Sequence, residues 1–301
     1  MQDTPLALVL SELKQLKKEG IESLYIGEEA LGQLQSPPAL APKAPSKESS
    51  TLMKKSTSAT TPSLLESEML SVSSAKAVKL REAHSVAAPS IQLPKGSKEE
   101  QWTYLKNLVL SCEECKRHVK PGKHIVFGTG NIDADIFFCG EAPGADEEIE
   151  GVPFVGRAGQ LLTKMIQGMG LSREEVYIAN IMNWRPEMDT PVGNRPPTQK
   201  EMEFCLPYLK AQVAIIKPKV IVALGATAVN GLLGVNPKRK MGDIRGQWQS
   251  FEGAQLMITF HPSYLLRNNT NRTKRQVWED LLAVMDALKL PISEKQKNYF
   301  L

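Results

Sequence analysis

Four short, strongly apolar runs alternate with segments of helical periodicity along this 301-residue chain, and this alternation restricts the possible folds most. The apolar runs lie at 134–139, 175–181, 219–224 and 255–260. Helical spacing of apolar residues marks 158–169, 198–216, 226–233 and 274–288. Short apolar strands that alternate with helices imply parallel strands joined by crossovers. We therefore expect an α/β fold, a three-layer α/β/α domain with a central four-stranded, mainly parallel sheet.

The N-terminal part of the chain has a different composition. Residues 1–35 contain leucines at amphipathic spacing and predict a short helical segment. Residues 36–98 are rich in Ser, Pro, Ala and Lys, and no aromatic residue lies between Tyr25 and Trp102. Such a stretch buries too little surface to offset its ordering entropy, so we expect a disordered linker. The folded domain is then expected at 99–292, with a C-terminal tail at 293–301.

Composition and charge exclude some classes of protein and leave others open. The hydrophobic content of 42% is ordinary for a globular chain, and no run approaches the length of a membrane span. The N-terminus lacks the pattern of a signal peptide, so we expect a cytoplasmic protein with no membrane contact. The formal net charge of +4 tolerates a polyanionic partner without requiring one.

Polar and turn-forming residues follow the predicted strands. In parallel sheets, ligands bind where the carboxyl ends of the strands meet their loops. The turn Gly140-Glu141-Ala142-Pro143-Gly144 follows the first predicted strand, Asn180 lies near the end of the second, and His261 follows the fourth. A glycine- and proline-rich turn exposes backbone N–H groups that can bind a carbonyl or a developing anion. We expect the functional site at this edge of the sheet.

Three motifs in this order resemble those of family 4 uracil-DNA glycosylases. They are GEAPG at 140–144, GVPFVGRAGQ at 151–160 and HPSYLLR at 261–267, and the resemblance covers roughly residues 105–290. It implies that the chain removes uracil from single- or double-stranded DNA and thereby starts base-excision repair in the cytoplasm. It implies no nucleotide cofactor. We also expect a monomer, with residues 1–34 available to bind a protein partner.

The resemblance assigns roles in the base pocket. Glu141 and Ala142 are expected to line the uracil pocket, and Glu147 to place the attacking water or to shape the pocket near uracil C5. Phe154 is expected to stack on the flipped base, although a lone Phe in such a loop is more often a core residue. Asn180 offers both a donor and an acceptor, so it can pair with uracil and reject cytosine.

His261 and the residues that follow it are expected to handle the leaving group and the DNA. A donor from His261 to uracil O2 stabilises the departing anion, and either protonation state of the ring could supply that donor. Ser263, Leu265, Leu266 and Arg267 are expected to enter the DNA, with the leucines filling the gap left by the flipped nucleotide. The alternative is that the two leucines begin the last helix and pack inward.

The cysteines raise the question of a metal site. The resemblance implies a 4Fe-4S cluster held by four cysteines, and Cys112, Cys115 and Cys205 match three of them. Trp184 stands at the expected fourth position, and an indole does not replace a thiolate. Three outcomes stay open: a cluster with a noncysteine ligand from 187–192, a three-cysteine zinc-like site, or no metal. We favour the cluster, because three matching thiols have no other evident purpose.

An alternative to the enzyme is a protein that binds DNA without catalysis. A noncatalytic DNA-binding module could retain the same fold and associate with replication machinery through the N-terminal segment. None of the pocket motifs is interrupted, and this favours the enzyme over the noncatalytic module.

Overall fold

The computed structural model describes residues 87–188 and 193–301. The helical segment predicted at 1–35 lies outside the described residues, and so does most of the linker predicted at 36–98. The same holds for most of the insertion at 187–192. In the part of the chain that the structure describes, no helix has the length and apolar character needed to span a lipid bilayer.

A six-stranded sheet forms the centre of the domain. Its strands in chain order are β1 (Thr129–Gly130), β2 (Ile136–Gly140), β3 (Tyr177–Asn180), β4 (Val220–Leu224), β5 (Trp248–Phe251) and β6 (Ala254–Thr259). Their order across the sheet is β1-β3-β2-β4-β6-β5. The four inner strands are parallel, as the sequence predicts, and the α/β fold class is confirmed. The antiparallel edge strands β1 and β5 are additions to the predicted four.

Helices connect and cover these strands. In chain order they are α1 (Lys98–Ser111), α2 (Glu113–Arg117), α3 (Ala145–Glu150), α4 (Arg157–Gly168), α5 (Gln199–Ile216), α6 (Gly225–Leu233), α7 (Met241–Ile244), α8 (Pro262–Arg267), α9 (Asn271–Ala287) and α10 (Glu294–Lys297). Local capping sets where the longer ones begin. Ser97 with Glu100 forms a capping box at α1, and Thr198 with Glu201 forms one at α5.

Two hydrophobic cores lie on opposite faces of the sheet. Alternate residues of a strand point to opposite faces, so Phe137 and Cys139 of β2 join the core that contains α1, α5 and α6. Phe138 of the same strand joins the core formed with α4 and α9. All five residues of β2 are buried, as expected for a strand covered on both faces. The arrangement is the expected three-layer one.

The C-terminal segment packs against the domain. The Trp278 indole N–H donates to the Gln296 carbonyl oxygen at 2.6 Å, and the Gln296 side-chain nitrogen donates to the Gly168 carbonyl oxygen at 2.8 Å. The segment predicted as a tail at 293–301 thus contains α10 and is attached to both α4 and α9. The folded domain continues beyond residue 292.

Candidate active site

The polar residues predicted at the strand ends lie around one point on the carboxyl edge of the sheet. Gly140 and Asn180 are paired in register at the ends of β2 and β3. A Cβ atom built on Gly140 would lie 2.4 Å from Asn180 Oδ1 and 2.4 Å from Phe154 Cζ. The Phe154 and His261 rings are 5.6 Å apart, centroid to centroid. We call the part of the carboxyl edge formed by Gly140, Phe154, Asn180 and His261 the edge pocket.

The loop that carries Phe154 has an unusual backbone. Phe154 has φ 56, a left-handed conformation that is uncommon for a bulky residue. Its carbonyl oxygen would lie only 1.9 Å from a Cβ atom on Gly159, so glycine is required at the start of α4. The Phe154 ring is only 6% exposed and packs into the core below the pocket. The side chain therefore forms a rigid wall of the edge pocket.

Glu147 holds this loop in place through three backbone N–H groups. Its Oε1 accepts from Val155 N at 3.1 Å and Gly156 N at 3.0 Å, and its Oε2 accepts from Gly144 N at 3.0 Å. Both carboxylate oxygens are thus engaged with the protein. These contacts fix the shape of the loop, and Oε2 accepts only one of them, so both roles expected for Glu147 stay predictions.

Arg173 supports the same loop from the other side, and the sequence analysis did not identify it. Its guanidinium donates to the Pro153 carbonyl oxygen and, at 3.4 Å, to Thr163 Oγ1. Burial lowers the pKa of Arg173, while the charge of Glu174 and then of Glu147 opposes that shift. An arginine in a polar segment is usually a solvated side chain, so no local signal marked it.

Asn180 ends β3 and is buried, with 6% of its surface exposed. Within residues 87–188 and 193–301, its amide group makes no hydrogen bond to another residue. Its oxygen and nitrogen are not among the fully buried side-chain atoms that lack a partner, so both atoms are accessible from outside the core. The Asn180 amide therefore suits a ligand that presents one donor and one acceptor to it.

His261 caps helix α8, and this contact determines its tautomer. Its Nδ1 accepts from Ser263 N at 3.1 Å and lies 2.8 Å from Ser263 Oγ. A backbone N–H can only donate, so Nδ1 is the unprotonated nitrogen and the proton of the neutral ring is on Nε2. Burial, and then the charge of Arg267, lowers the pKa of His261 to about 4. At neutral pH the ring is therefore a neutral Nε2–H donor.

Glu141 and Ala142 follow β2 directly, and Ala142 packs against the core that contains α1, α5 and α6. The Glu141 carbonyl oxygen accepts from Met182 N at 3.1 Å, and the Gly140 carbonyl oxygen accepts from Ile181 N at 3.0 Å. These bonds tie the turn to the chain that leaves β3. Burial raises the pKa of Glu141, and a hydrogen bond from Thr227 opposes that shift.

Helix α8 carries the residues expected to meet DNA, and the structure divides them. Leu266 is 41% exposed and Arg267 is also exposed. Leu265 is only 6% exposed and belongs to the core beside α4 and α9. The structure thus favours the inward-packing alternative for Leu265 and not for Leu266, because adjacent residues of a helix face different directions. Ser263 is half-buried and is bonded to His261.

The predicted cluster ligands lie close together. Cys115 N donates to Cys112 Sγ at 3.4 Å. Burial raises the pKa of Tyr208, and the neighbouring Cys112, Cys115 and Cys205 raise it further, so all three thiols lie near that hydroxyl group. Yet in residues 87–188 and 193–301, no group of three or more His, Cys, Asp or Glu side chains is arranged to hold a metal ion.

The fourth position of the predicted cluster holds a buried indole. Trp184 is 1% exposed, and its ring stacks on His118 with centroids 4.6 Å apart. The residues present therefore do not fit a four-cysteine cluster, although three of the four thiols are in place. Cys139 does not supply the missing ligand, because it lies buried within β2.

Comparisons with known proteins show the family of the chain. The family model of the uracil DNA glycosylase superfamily matches residues 127–282. A type-4 uracil-DNA glycosylase of Thermotoga maritima is 42% identical over 186 residues, which cover 62% of this chain and 93% of that protein. The type-4 enzymes of Pyrobaculum aerophilum and Saccharolobus solfataricus are 38% and 40% identical, covering 57% and 60% of this chain and 88% and 83% of theirs. The chain belongs to the uracil DNA glycosylase superfamily.

Proposed function

We infer that this protein is a uracil-DNA glycosylase, a hydrolase of DNA repair that cleaves the bond between uracil and deoxyribose. Its relatives bear that name, and the edge pocket has the groups that the reaction needs. The observation that carries the inference is the placement of Phe154, Asn180 and His261 around one space at the carboxyl edge of the sheet.

Recognition depends on stacking and on one amide. A uracil turned out of the DNA stack lies against the Phe154 ring, which its left-handed backbone and the Glu147 contacts hold still. The Asn180 amide pairs with uracil O4 and N3–H. Cytosine presents the opposite donor and acceptor pattern, so it leaves the buried amide unpaired and is rejected.

Bond cleavage depends on stabilising the leaving group. The C1′–N1 bond breaks with its electron pair on uracil. Water adds to C1′ of the sugar, and the proton that it loses neutralises the uracil anion. The Nε2–H of His261 donates to uracil O2, where negative charge develops, and the protonation state needed for this is present at neutral pH. Glu147 is a positioning residue in this proposal. No step is routed through a metal or cluster.

DNA contact is assigned to the exposed face of α8. Leu266 occupies the gap left by the flipped nucleotide, and Arg267 meets the phosphate backbone. Ser263 acts through His261 rather than on the DNA. A monomer is sufficient, since all of these residues lie on one chain.

A strand-cleavage assay tests the proposal. Oligonucleotides with one uracil, single- or double-stranded, are incubated with the protein and then treated with alkali, which cuts abasic sites. We expect scission by the wild type and a loss of at least about a hundredfold in His261→Ala, comparable to removing one donor to a developing anion. Asn180→Asp should lower uracil excision and raise cytosine excision relative to it, because a carboxylate accepts from the cytosine amino group.

The rival function makes a different prediction in the same assay. A noncatalytic DNA-binding module would bind the uracil-containing strand tightly and yield no scission. If neither substitution changes scission, the protein is still a glycosylase, but the edge pocket is not its active site. A protein partner for residues 1–34 stays a prediction. Pull-down with the full-length protein and with a variant that lacks this segment tests it.

A further inference from the structure

The place where the resemblance expects a fourth cluster ligand is filled by an aromatic contact network. Trp184 stacks on His118 with an interplanar angle of 9° and a centroid distance of 4.6 Å. The Trp184 ring centroid also lies 5.9 Å from that of Phe204, at an interplanar angle of 57°. Three segments of the chain meet at this indole: the end of α2, the segment after β3, and the start of α5.

These are the same three segments that a four-cysteine cluster would join. Cys112 and Cys115 lie at α2, Trp184 stands in the segment after β3, and Cys205 lies in α5. The aromatic contacts link them in pairs: His118 with Trp184, and Trp184 with Phe204, the neighbour of Cys205. The cross-link between the segments is thus present without a metal.

The indole is held by its ring faces rather than by its N–H group. Trp184 Nε1 is buried and has no hydrogen-bond partner. A buried donor without a partner is costly, and it persists where ring packing dominates the position. On the other side of the stack, His118 Nε2 lies 3.4 Å from Glu114 Oε1, which holds the imidazole against the indole.

We propose that the stacked pair His118 and Trp184 takes the structural place of an iron–sulfur cluster, so that this chain folds with three free thiols and without iron. The indole fills the corner that a thiolate would need, and the imidazole covers its face. Cys112, Cys115 and Cys205 then act as packing residues near Tyr208. This proposal does not depend on the glycosylase activity, because it concerns only how three segments are joined.

Metal analysis of the full-length wild-type protein is the first test. The protein is produced in iron-replete cells, purified without oxygen, and assayed for iron and acid-labile sulfide. We expect neither in stoichiometric amount, no visible absorption, and a melting temperature that a strong iron chelator leaves unchanged. About four irons and four sulfides per chain would overturn the proposal. This measurement uses only the wild-type protein, so its result does not depend on whether the variants described next can fold.

A gain of cluster binding is the second test. Trp184→Cys supplies the missing thiol and removes the indole, and Trp184→Ser is the matched control with a similar void and no thiol. After incubation with ferrous iron and sulfide, we expect about four irons per chain and a brown chromophore in Trp184→Cys alone. Iron binding should also raise the melting temperature of Trp184→Cys above that of Trp184→Ser. If both variants fold and neither binds iron, the indole does not occupy a cluster corner, and the proposal fails.

Discussion

Replacing Glu147 by Gln tests how the Phe154 loop is held. A carboxamide keeps the size of the side chain but turns one oxygen into an N–H₂ group. If its oxygen stays with Val155 N and Gly156 N, its nitrogen faces Gly144 N, a donor 3.0 Å from the present Oε2. One hydrogen bond to a charged group is lost, and the other two lose their charge assistance. The cost is about 2–4 kcal/mol.

Two measurements report on this change. The melting temperature should fall by about 4–16 °C, since about 1 kcal/mol corresponds to about 2–4 °C in a domain of this size. Because the Phe154 wall is loosened, kcat/KM for a uracil-containing oligonucleotide should fall at least about tenfold, which corresponds to about 1.4 kcal/mol. Glu150→Gln on the same helix is the control, because Glu150 is exposed. If Glu147→Gln matches this control in both measurements, the loop is held by something else.

Three further predictions follow from the same pocket. Gly140→Ala should abolish uracil excision, because its Cβ would lie 2.4 Å from both Asn180 Oδ1 and Phe154 Cζ and would displace them. Gly242→Ala, whose Cβ meets open space, should be neutral in the same strand-cleavage assay. Leu265→Ala should lower the free energy of unfolding in urea titration by about 2–5 kcal/mol, because Leu265 is buried. Leu266→Ala should change it by less than about 0.5 kcal/mol and should weaken excision from duplex DNA. Equal stability losses would contradict the buried position of Leu265 and the exposed position of Leu266. Burial lowers the pKa of His261 to about 4. The stability that this group contributes is therefore complete above about pH 6.5 and is lost as the pH falls toward 4. His261→Asn should flatten that part of the curve of melting temperature against pH. An unchanged curve would mean that the ring titrates as it does in the unfolded chain.

The inner sheet could be predicted because its signals are local. Each central strand is a run of buried apolar residues, and helical spacing predicts α4, α5, α6 and α9 from periodicity alone. The edge strands lacked such a signal. Strand β1 has only two residues, and β5 is exposed along most of its length, so neither contains a pattern that reports burial.

The sequence predicted which residues lie at the carboxyl edge of the sheet but not the contacts that they make. Topology brings the ends of parallel strands together, so Asn180 and His261 could be placed near each other without coordinates. The engagement of Glu147 with three backbone N–H groups and the support from Arg173 depend on how two loops pack, which no local pattern encodes. The inward direction of Leu265 depends on the angle at which α8 starts.

His261 is both the first contact of α8 and the group assigned to the departing base. The Nδ1 atom that starts the helix and the Nε2 atom that meets the base belong to one rigid ring. Rotation of that ring away from its present orientation would break the capping bond at the start of the helix that carries Leu266 and Arg267. The start of the DNA-contacting helix and the donor to the departing base thus depend on one orientation of one side chain. A residue at position 261 has to serve both purposes.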